Sequence, residues 1–348
     1  MSLADPTALP HSRIADPHQA PGIRWGVMAP GRIAHAFARA VDVGTDSRVV
    51  AVGSRSRERA RAFADTHGIP AAYGSYDEVA ADPAVDAVYI ASPHSGHLEH
   101  ALIAVEAGKA VLVEKPFTRS AAEARRVFDA AASHGVLAME AMWSRCLPQY
   151  DVVRQAVESG LLGEVVSVSA DHGQPLYPDG PQRLADPALA GGALLDLGVY
   201  PMAFADLVLG GFASVTAAGT LTDLGVDSTA SILVTGPTGA SGLLATTMLA
   251  HTPCTAMVIG TQASIVLDPT FYQPTTVRLL SRRGEVLDVR DESLPERVHG
   301  FSYEAAEVAW CLAEGRLESA QVPQAATLRV MEAMDAVRRQ LGVVYPGE

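Results

Sequence analysis

The order of apolar and polar positions divides the chain into two parts with different patterns. From Ile23 to about residue 145, short apolar runs such as IRWGVMA, RVVAVGS and AVDAVYIAS alternate with amphipathic stretches of helical periodicity. Strands that alternate with helices of about 10–15 residues are typical of βαβ units and of a mainly parallel sheet. This part is therefore predicted to form a doubly wound α/β domain.

Beyond residue 145 the pattern changes. The stretch GGALLDLGVYPMAFADLVLG is predicted to be one helix, and it follows a proline-rich loop at about residues 174–190. Strand-like runs come next, from SVTAAGTL to TVRLLS, and short turns such as TGPTG join them, which favours an antiparallel meander. The predicted fold class is α/β plus α+β, with a doubly wound parallel sheet followed by a domain with a large, open, mainly antiparallel sheet.

These patterns also set the predicted boundaries. Residues 1–21 are rich in proline, alanine and histidine and are predicted to be a mobile tail. Residues 22–145 are predicted to form the parallel-sheet domain, and residues 146–348 the α+β domain.

Composition narrows the classes of function. The formal net charge of −13 disfavours nucleic acid as a partner. The three cysteines form no CxxC pair, and no His/Cys/Asp cluster has metal-ligand spacing, so neither a disulfide framework nor a metal site is predicted. Without an apolar run of about 18 residues or a signal peptide, a cytoplasmic location away from membranes is expected.

The first predicted strand runs into a turn with candidate cofactor chemistry. The segment Gly26–Ala34 resembles the GxGxxA phosphate-binding fingerprint of Rossmann domains, with Ala29 in place of one glycine. A helix that starts at this turn presents unpaired N–H groups and the positive end of its dipole to a pyrophosphate. The candidate cofactor residues of the turn are Gly26, Ala29, Gly31, Arg32 and Ile33.

The end of the second strand predicts which dinucleotide is bound. Domains that bind NAD usually place an acid there for the ribose 2′-hydroxyl, whereas this chain has Ser54 and Arg55, with Arg59 one turn later. Arginine presents a planar, always-charged fork to a phosphate. NADP is therefore predicted as the cofactor, and NAD is the less favoured alternative.

A family resemblance begins at Glu114-Lys115-Pro116, which follows a strand and is preceded by the segment SPHSGH at residues 92–97. The combination resembles the glucose–fructose oxidoreductase/inositol dehydrogenase (Gfo/Idh/MocA) family over nearly the whole chain after the tail. Within that family, MEAMWSR, GGALLDLGVY, GVDSTA and SYEAAEVAWCLAEG resemble the branch of the dimeric dihydrodiol dehydrogenases and NADP-dependent D-xylose dehydrogenases.

The resemblance implies roles for several residues. Lys115 would point into the active site, with a cis peptide before Pro116, and Asp196 and Tyr200 match the Asp-x3-Tyr pattern of this branch. We expect Tyr200 to be the general acid/base, Lys115 its electrostatic partner and Asp196 the holder of a neighbouring substrate hydroxyl. The reverse assignment, with Lys115 as proton carrier, stays open. Further cofactor contacts are expected from Ser92, Pro93, His97, Glu114, Lys115 and Pro116.

Three more residues are candidates for the substrate pocket. Trp143 and Arg145 lie at the predicted domain junction, and His172 lies on the first strand of the second domain. Packing and interdomain pairing are equal alternatives for Trp143 and Arg145, and a lone histidine is more often structural.

The expected function is hydride transfer between NADP and a CH–OH or C=O group of a sugar, polyol or cyclic diol. The second domain would bind this small molecule and would also form a homodimer through its open sheet. Two alternatives remain from the same family: a glycosidase that oxidises its substrate transiently with a held cofactor, and a non-catalytic sugar-sensing regulator. Lys115, Asp196 and Tyr200 disfavour the regulator.

Overall fold

The computed structural model describes residues 8–294 and 299–347, which divide into two compact units. The parallel-sheet unit contains residues 15–146 and 299–328. The mixed-sheet unit contains residues 8–14, 147–293 and 329–347. The main division follows Cys146, close to the predicted boundary, but a C-terminal segment rejoins the first unit, which the linear division did not foresee.

The parallel-sheet unit is built on a six-stranded sheet in the order β3-β2-β1-β4-β5-β6, and every described pairing in it is parallel. Its strands are β1 Arg24–Met28, β2 Arg48–Gly53, β3 Ala71–Tyr73, β4 Ala87–Ile90, β5 Ala110–Glu114 and β6 Ala138–Ala141. Its first helices are α1 Arg32–Gly44, α2 Arg57–His67, α3 Tyr76–Ala81, α4 His97–Glu106 and α5 Ala121–His134. The strand order reverses between β1 and β4, and ligands bind at such a switch point beyond the carboxyl ends of the strands.

Local sequence explains where these helices begin and end. Ser56, Ser75 and Ser120 are N-caps whose hydroxyls accept a backbone N–H three residues later. Gly68 and Gly135 end α2 and α5 in the left-handed conformation. The central strands are apolar and buried on both faces, because helices cover both sides of a doubly wound sheet.

The mixed-sheet unit holds an eight-stranded sheet in the order β14-β13-β12-β11-β7-β10-β9-β8. Among the described strands only β10 and β7 pair in parallel, so the predicted open, mainly antiparallel sheet is confirmed. The strands are β7 Val165–Gly173, β8 Ser214–Leu221, β9 Asp227–Thr235, β10 Ser241–Thr247, β11 Ala256–Gly260, β12 Ala263–Leu267, β13 Thr276–Ser281 and β14 Val286–Asp291. Two helices, α6 Pro148–Glu158 and α7 Val199–Leu209, come before β8.

Of the last two helices, the first belongs to the parallel-sheet unit and the second contributes to both units. Helix α8, Phe301–Ala313, packs on α1, and the hydroxyl of Ser302 donates to Ala40 O at 2.9 Å. Its alanines Ala306 and Ala309 are buried with Ala20. Helix α9, Gln324–Leu341, continues into the mixed-sheet unit. The predicted domain of residues 146–348 therefore gives residues 299–328 to the parallel-sheet unit, because α8 buries its apolar face on α1.

Residues 8–21 make specific contacts, although the sequence predicted a mobile tail over residues 1–21. Leu9 is buried and its N–H donates to Asp288 Oδ2 at 2.8 Å. The guanidinium of Arg13 pairs with the buried carboxylate of Asp151 at 2.6 Å. These two contacts hold residues 8–14 against the mixed-sheet unit. Amino-acid composition alone does not predict them. Residues 1–7 lie outside the described residues.

One helical stretch, Pro187–Leu209, is long and apolar enough to cross a membrane by length and composition, with a mean hydropathy of 1.5. Of its apolar window, 94% is buried inside the structure. A core helix of a folded domain passes the same test.

Candidate functional site

The turn after β1 has the backbone of a phosphate-binding loop. Ala29 takes a positive φ of 64°, the left-handed conformation that usually favours glycine, and its N–H donates to Gly53 O at 3.1 Å. Gly31 is the N-cap of α1, and a Cβ there would meet nothing nearer than Ala29 O at 3.9 Å. Open space beside the uncapped first N–H groups of α1 fits a pyrophosphate.

The other predicted residues of the turn are placed differently. Arg32 is exposed on the first turn of α1, and Ile33 is half-buried. Gly26 is buried inside β1, where a Cβ would lie 2.8 Å from Val79 Cγ1 of α3. The absence of a side chain at Gly26 permits close packing of α3 on the sheet, and its predicted contact with the cofactor stays a prediction.

The end of β2 presents positive charge without an acid. Ser54 is buried, and its hydroxyl accepts from Ser56 N at 3.2 Å. Arg55 and Arg59 are exposed. Burial raises the pKa of Tyr76 overall, and the positive charges of the two guanidiniums partly offset that shift. The Tyr76 ring meets the His100 ring edge-on at 4.3 Å. Two exposed guanidiniums near this aromatic pair could hold a ribose 2′-phosphate, and the sequence did not single out Tyr76 or His100.

The segment after β4 holds its histidine inside the protein. His97 is fully buried, with Nδ1 at 2.9 Å from Pro116 O and Nε2 at 2.9 Å from Ser92 O. Burial lowers the pKa of His97 to about 4, so the ring is neutral. The ring of His97 joins two backbone segments and has no exposed surface, which favours a structural role, and its predicted cofactor contact stays a prediction. Pro93 is exposed, and the hydroxyl of Ser92 lies 2.9 Å from His100 Nδ1.

The EKP segment follows β5 as predicted. The Lys115–Pro116 peptide is cis, and Lys115 is half-buried. Glu114 is buried, where it accepts from the Tyr89 hydroxyl and, at 3.2 Å, from Lys115 N. Glu114 therefore holds the backbone that carries Lys115, and its predicted direct contact with the cofactor stays a prediction.

Two further acids near this segment were missed by the sequence analysis. Glu140 accepts from Phe117 N at 3.1 Å and from the Thr327 hydroxyl at 2.8 Å. Glu304 of α8 is fully buried, and neither carboxyl oxygen has a hydrogen-bond partner among the described residues. Burial, with repulsion from Glu114 and Glu140, raises the pKa of Glu304 well above its usual value. The surroundings of Glu304 therefore favour its protonated form.

Trp143 and Arg145 are buried in the parallel-sheet unit. The Trp143 ring stacks on His299 at 5.6 Å and packs on Phe301 at 4.8 Å. Arg145 favours the charged form of Glu140, although burial raises the pKa of that acid overall. The ring contacts of Trp143 match the packing alternative, and the predicted place of both residues in the substrate pocket stays a prediction.

In the mixed-sheet unit, Asp196 and Tyr200 lie on successive turns of one helical segment. The sequence predicted a single helix, whereas the structure has a π-helical turn at Leu194–Gly198 before α7. Asp196 Oδ1 accepts from Arg183 Nη2 at 3.0 Å. Arg183 is half-buried in the proline-rich loop and was not among the predicted residues. The pair places a donor and an acceptor side by side.

Two aromatic rings lie beside the ring of Tyr200. The ring of Tyr272 stacks on Tyr200 at 4.6 Å and on His172 at 4.2 Å, and His172 lies 5.4 Å from Tyr200. The structure thus brings the predicted residues His172 and Tyr200 together. Tyr272 lies in a loop without a motif, which is why the sequence analysis missed it.

Hydrogen bonds fix the protonation of two members of this cluster. His172 Nδ1 lies 3.2 Å from Leu197 O, and its Nε2 lies 2.9 Å from Gln174 Nε2. The neutral tautomer with its proton on Nδ1 satisfies both contacts. Gln174 Nε2 also donates to the Tyr272 hydroxyl at 3.3 Å, and burial raises the pKa of Tyr272 to about 12. At neutral pH Tyr272 therefore keeps its proton.

The turn that starts this helical segment is held by a buried acid. Asp227 Oδ2 accepts from Leu194 N at 2.6 Å, whereas Oδ1 has no partner among the described residues. Burial raises the pKa of Asp227 to about 6, despite the backbone N–H groups that favour the carboxylate. Asp227 stands in the quoted motif GVDSTA, but nothing in the sequence indicated its contact.

Among residues 8–294 and 299–347, no group of three or more His, Cys, Asp or Glu side chains could hold a metal ion.

Two family profiles match the chain. One, described as an oxidoreductase family with an NAD-binding Rossmann fold, matches residues 23–142, and the GFO/IDH/MocA C-terminal domain matches residues 150–266. The chain belongs to the GFO/IDH/MocA oxidoreductase family. The predicted resemblance is thereby confirmed, and the parallel-sheet unit is the Rossmann domain of a GFO/IDH/MocA enzyme.

Relatives within the GFO/IDH/MocA family are similar over almost the whole chain. A trans-1,2-dihydrobenzene-1,2-diol dehydrogenase from Xenopus laevis is 36% identical over 330 residues, which cover 93% of this chain and 99% of that enzyme. The enzyme of the same name from Oryctolagus cuniculus is 37% identical over 307 residues, which cover 87% of this chain and 93% of that enzyme. These similarities support the predicted dihydrodiol dehydrogenase branch.

Solved structures of oxidoreductases share the fold. An aldose–aldose oxidoreductase from Caulobacter crescentus, complexed with glycerol, matches with a TM-score of 0.82 and 25% identity over 92% of this chain and 98% of that one. The 3-ketoreductase KijD10 from Actinomadura kijaniata, with NADP and TDP-benzene, matches with a TM-score of 0.78 and 29% identity over the same shares, 92% and 98%.

The ionisation of Asp227 predicts a pH dependence of stability. Its pKa is about 6 in the folded protein against 3.8 for an ordinary aspartate, so the folded state holds the proton more tightly. The wild type should therefore lose stability as pH rises from about 4 to about 6, by roughly 2–3 kcal/mol relative to Asp227→Asn. Urea unfolding of both proteins between pH 4 and 7 measures this difference, and a constant difference would contradict the assignment.

Proposed function

We propose that this GFO/IDH/MocA enzyme is an NADP-dependent oxidoreductase that interconverts a CH–OH group and a carbonyl in a sugar, a polyol or a cyclic diol. The observation that carries the proposal is the polar cluster in the mixed-sheet unit, where Tyr200 is surrounded by rings and Asp196 is paired with Arg183. The relatives named dihydrodiol dehydrogenases and the glycerol complex of the aldose–aldose oxidoreductase support this substrate class.

The side chains suit a molecule with two adjacent hydroxyls. A carboxylate accepts hydrogen bonds and a guanidinium donates them, so the Asp196–Arg183 pair offers both to the hydroxyl next to the reacting carbon. The pair carries no net charge, which favours a neutral substrate. The rings of Tyr272 and His172 present apolar faces to the carbon skeleton.

Removal of a hydride from carbon requires that the attached hydroxyl lose its proton. The bound nicotinamide supplies the hydride acceptor. We assign the proton to Tyr200, because its neighbour Tyr272 keeps its own proton at neutral pH and His172 already uses both ring nitrogens. Lys115 is assigned as the cation that favours the phenolate and polarises the substrate oxygen. In the reverse direction the same groups return the proton.

The choice of NADP over NAD is tested at the exposed arginine of the β2 tip. Arg55→Ala should weaken NADP binding about tenfold or more and leave NAD binding unchanged, since a charge-assisted contact with phosphate contributes roughly 1.5–3 kcal/mol. Arg57→Ala is the matched control, because Arg57 is an exposed arginine in the same turn. Calorimetric titration with both cofactors measures the effect. Wild-type protein that binds NAD as tightly as NADP would contradict the proposal.

The chemical roles are tested by three substitutions and a matched control. Lys115→Met and Tyr200→Phe should each lower kcat by about 10²–10⁴-fold with NADP binding largely kept, because each removes a group needed for proton transfer. Asp196→Asn should mainly raise KM. Tyr272→Phe, which removes the hydroxyl of the stacked neighbour, should cost much less than Tyr200→Phe. Near-normal turnover of Tyr200→Phe, with an inactive Lys115→Met, would reassign the proton to Lys115.

A steady change in reduced-nicotinamide absorbance separates an oxidoreductase from the alternatives. A screen of aldoses, polyols, dicarbonyls and cyclic diols should give continuous turnover of NADP. Release of a sugar from a glycoside without net cofactor change would identify a glycosidase, and cofactor binding without any turnover would identify a regulator.

We also propose that the protein is a homodimer formed through the outer face of the mixed sheet. Alternate residues of β9 and β10 expose Leu233 and Leu243, at 47% and 62%, as directly paired neighbours. Three neighbouring positions on this face, Ser169, Thr216 and Ala245, are small and uncharged, and the charged residue Asp171 pairs with Ala245. An extended apolar face of this kind is usually covered by a partner.

Leu243→Arg should convert the dimer to a monomer, because it places a charge at the centre of this face. Val344→Arg is the control, since Val344 is 74% exposed but follows α9 and is not part of a strand of the sheet. Light scattering at micromolar concentration measures the mass of each protein. A monomeric wild type would rule the dimer out.

A further inference from the structure

The segment that carries Asp196 and Tyr200 begins inside the protein at a single acid. Asp227, the first residue of β9, is fully buried, and its Oδ2 accepts from Leu194 N at 2.6 Å. Leu194 is the first residue of the π-helical turn that contains Asp196. The turn runs directly into α7, so the hydrogen bond to Asp227 fixes the start of the backbone segment that carries Asp196 and Tyr200.

The residue on the other side of this carboxyl has to be glycine. Gly192 has a φ of +114°, and a Cβ there would lie 2.2 Å from Asp227 Oδ1. The backbone of Gly192 is thus seated directly against the acid. A side chain at either position that changed this contact would move the first turn of the helical segment.

The same turn is tied to the loop that supplies Arg183. Gly192 N donates to Leu184 O at 2.9 Å, and Gly191 O accepts from the buried hydroxyl of Tyr345 at 2.7 Å. The position of the turn therefore affects Arg183 as well as Asp196. Three hydrogen bonds therefore hold the start of this segment, and their partners are the Asp227 carboxyl, the Leu184 carbonyl and the Tyr345 hydroxyl.

Charge at this place favours an acid over a neutral cap. The first N–H groups of a helix form the positive end of its dipole. Arg338 of α9, which lies over the Tyr345 ring at 4.7 Å, also favours the carboxylate. Burial opposes ionisation, so the side chain is retained at a cost in stability. Because its burial lowers stability, we interpret Asp227 as a residue that sets the position of the turn.

We propose that Asp227 is a positioning residue for the reaction: by holding Leu194 N, it sets the place of Asp196 and Tyr200 relative to the substrate. The inference rests on the proposed function, because it takes Tyr200 and Asp196 as the residues of the chemistry. Displacement of a reacting group by about 1 Å costs on the order of 10²-fold in rate. Loss of the cap is therefore expected to lower turnover in a protein that still folds.

Three variants test the proposal. Asp227→Ala removes the acceptor, Asp227→Asn keeps an acceptor oxygen in the same place, and Ser228→Ala alters the next residue of β9, whose hydroxyl pairs instead with Thr220. We expect Asp227→Ala to lower kcat by about 30–100-fold. The affinity for NADP should stay within about twofold, since the nucleotide residues lie in the other unit. Asp227→Asn should restore kcat to within about fivefold, and Ser228→Ala should leave it unchanged.

A spectroscopic readout separates this proposal from the assignment of Tyr200. The protein is labelled with 3-fluorotyrosine, and the ¹⁹F resonance of Tyr200 is identified by its absence in Tyr200→Phe. This resonance should shift in Asp227→Ala and return in Asp227→Asn, because the stack of Tyr200 on Tyr272 depends on the helix position. If Tyr200→Phe retains turnover, the proposed chemistry fails, and the resonance still decides whether Asp227 positions the ring.

A folded Asp227→Ala protein with wild-type kcat and an unmoved Tyr200 resonance would overturn the proposal. Should Asp227→Ala fail to fold, Asp227→Ser takes its place, because its oxygen lies on a shorter side chain and reaches Leu194 N less well. The expected result is then an intermediate loss in kcat with a shifted resonance, and wild-type values for both would overturn the inference.

Discussion

A helix that starts in the interior of a protein cannot use water to satisfy its first N–H groups. In the mixed-sheet unit this constraint falls on the π-helical turn at Leu194–Gly198, and a carboxyl from β9 meets it. The contact joins the sheet to the helix that covers it. Because Asp196 and Tyr200 follow within the next two turns, the polar cluster depends on the same contact as the packing of α7 on β7 and β10.

In the parallel-sheet unit, the first N–H groups of α1 are left without a side-chain acceptor. The first turn of α1 also begins with unsatisfied N–H groups, but no side chain caps it and Gly31 leaves open space beside it. A phosphate can therefore provide the missing acceptors. The two units thus use helix N-termini differently: one is closed by the protein's own acid, and the other is left for an anionic ligand.

Buried ionisable groups are concentrated around the candidate chemistry. Glu304, Glu140 and Asp227 are each held in surroundings that raise the pKa and disfavour the charged form. Such groups reduce stability compared with apolar residues of the same size. Their position near the EKP segment and the Asp196–Tyr200 segment indicates that both regions are arranged for chemistry, since perturbed groups cluster at functional sites.

The sequence alone determined the two-part fold, the phosphate turn and the segments with Lys115, Asp196 and Tyr200, because these depend on local periodicity and on contiguous motifs. It could not predict contacts between residues far apart in the chain. Tyr272 lies 72 positions after Tyr200 and Asp227 lies 33 positions after Leu194, so neither pairing has a local signal.

Tertiary structure also decided between roles that local patterns leave open. His97 and Gly26 both matched cofactor motifs. In the structure the ring of His97 bridges two backbone carbonyls, and Gly26 leaves the space in which α3 packs. Likewise, the composition of residues 8–21 indicated a tail, whereas Leu9 and Arg13 find partners at Asp288 and Asp151. Periodicity determines which residues face inward, but only the folded chain decides which distant partner each of them meets.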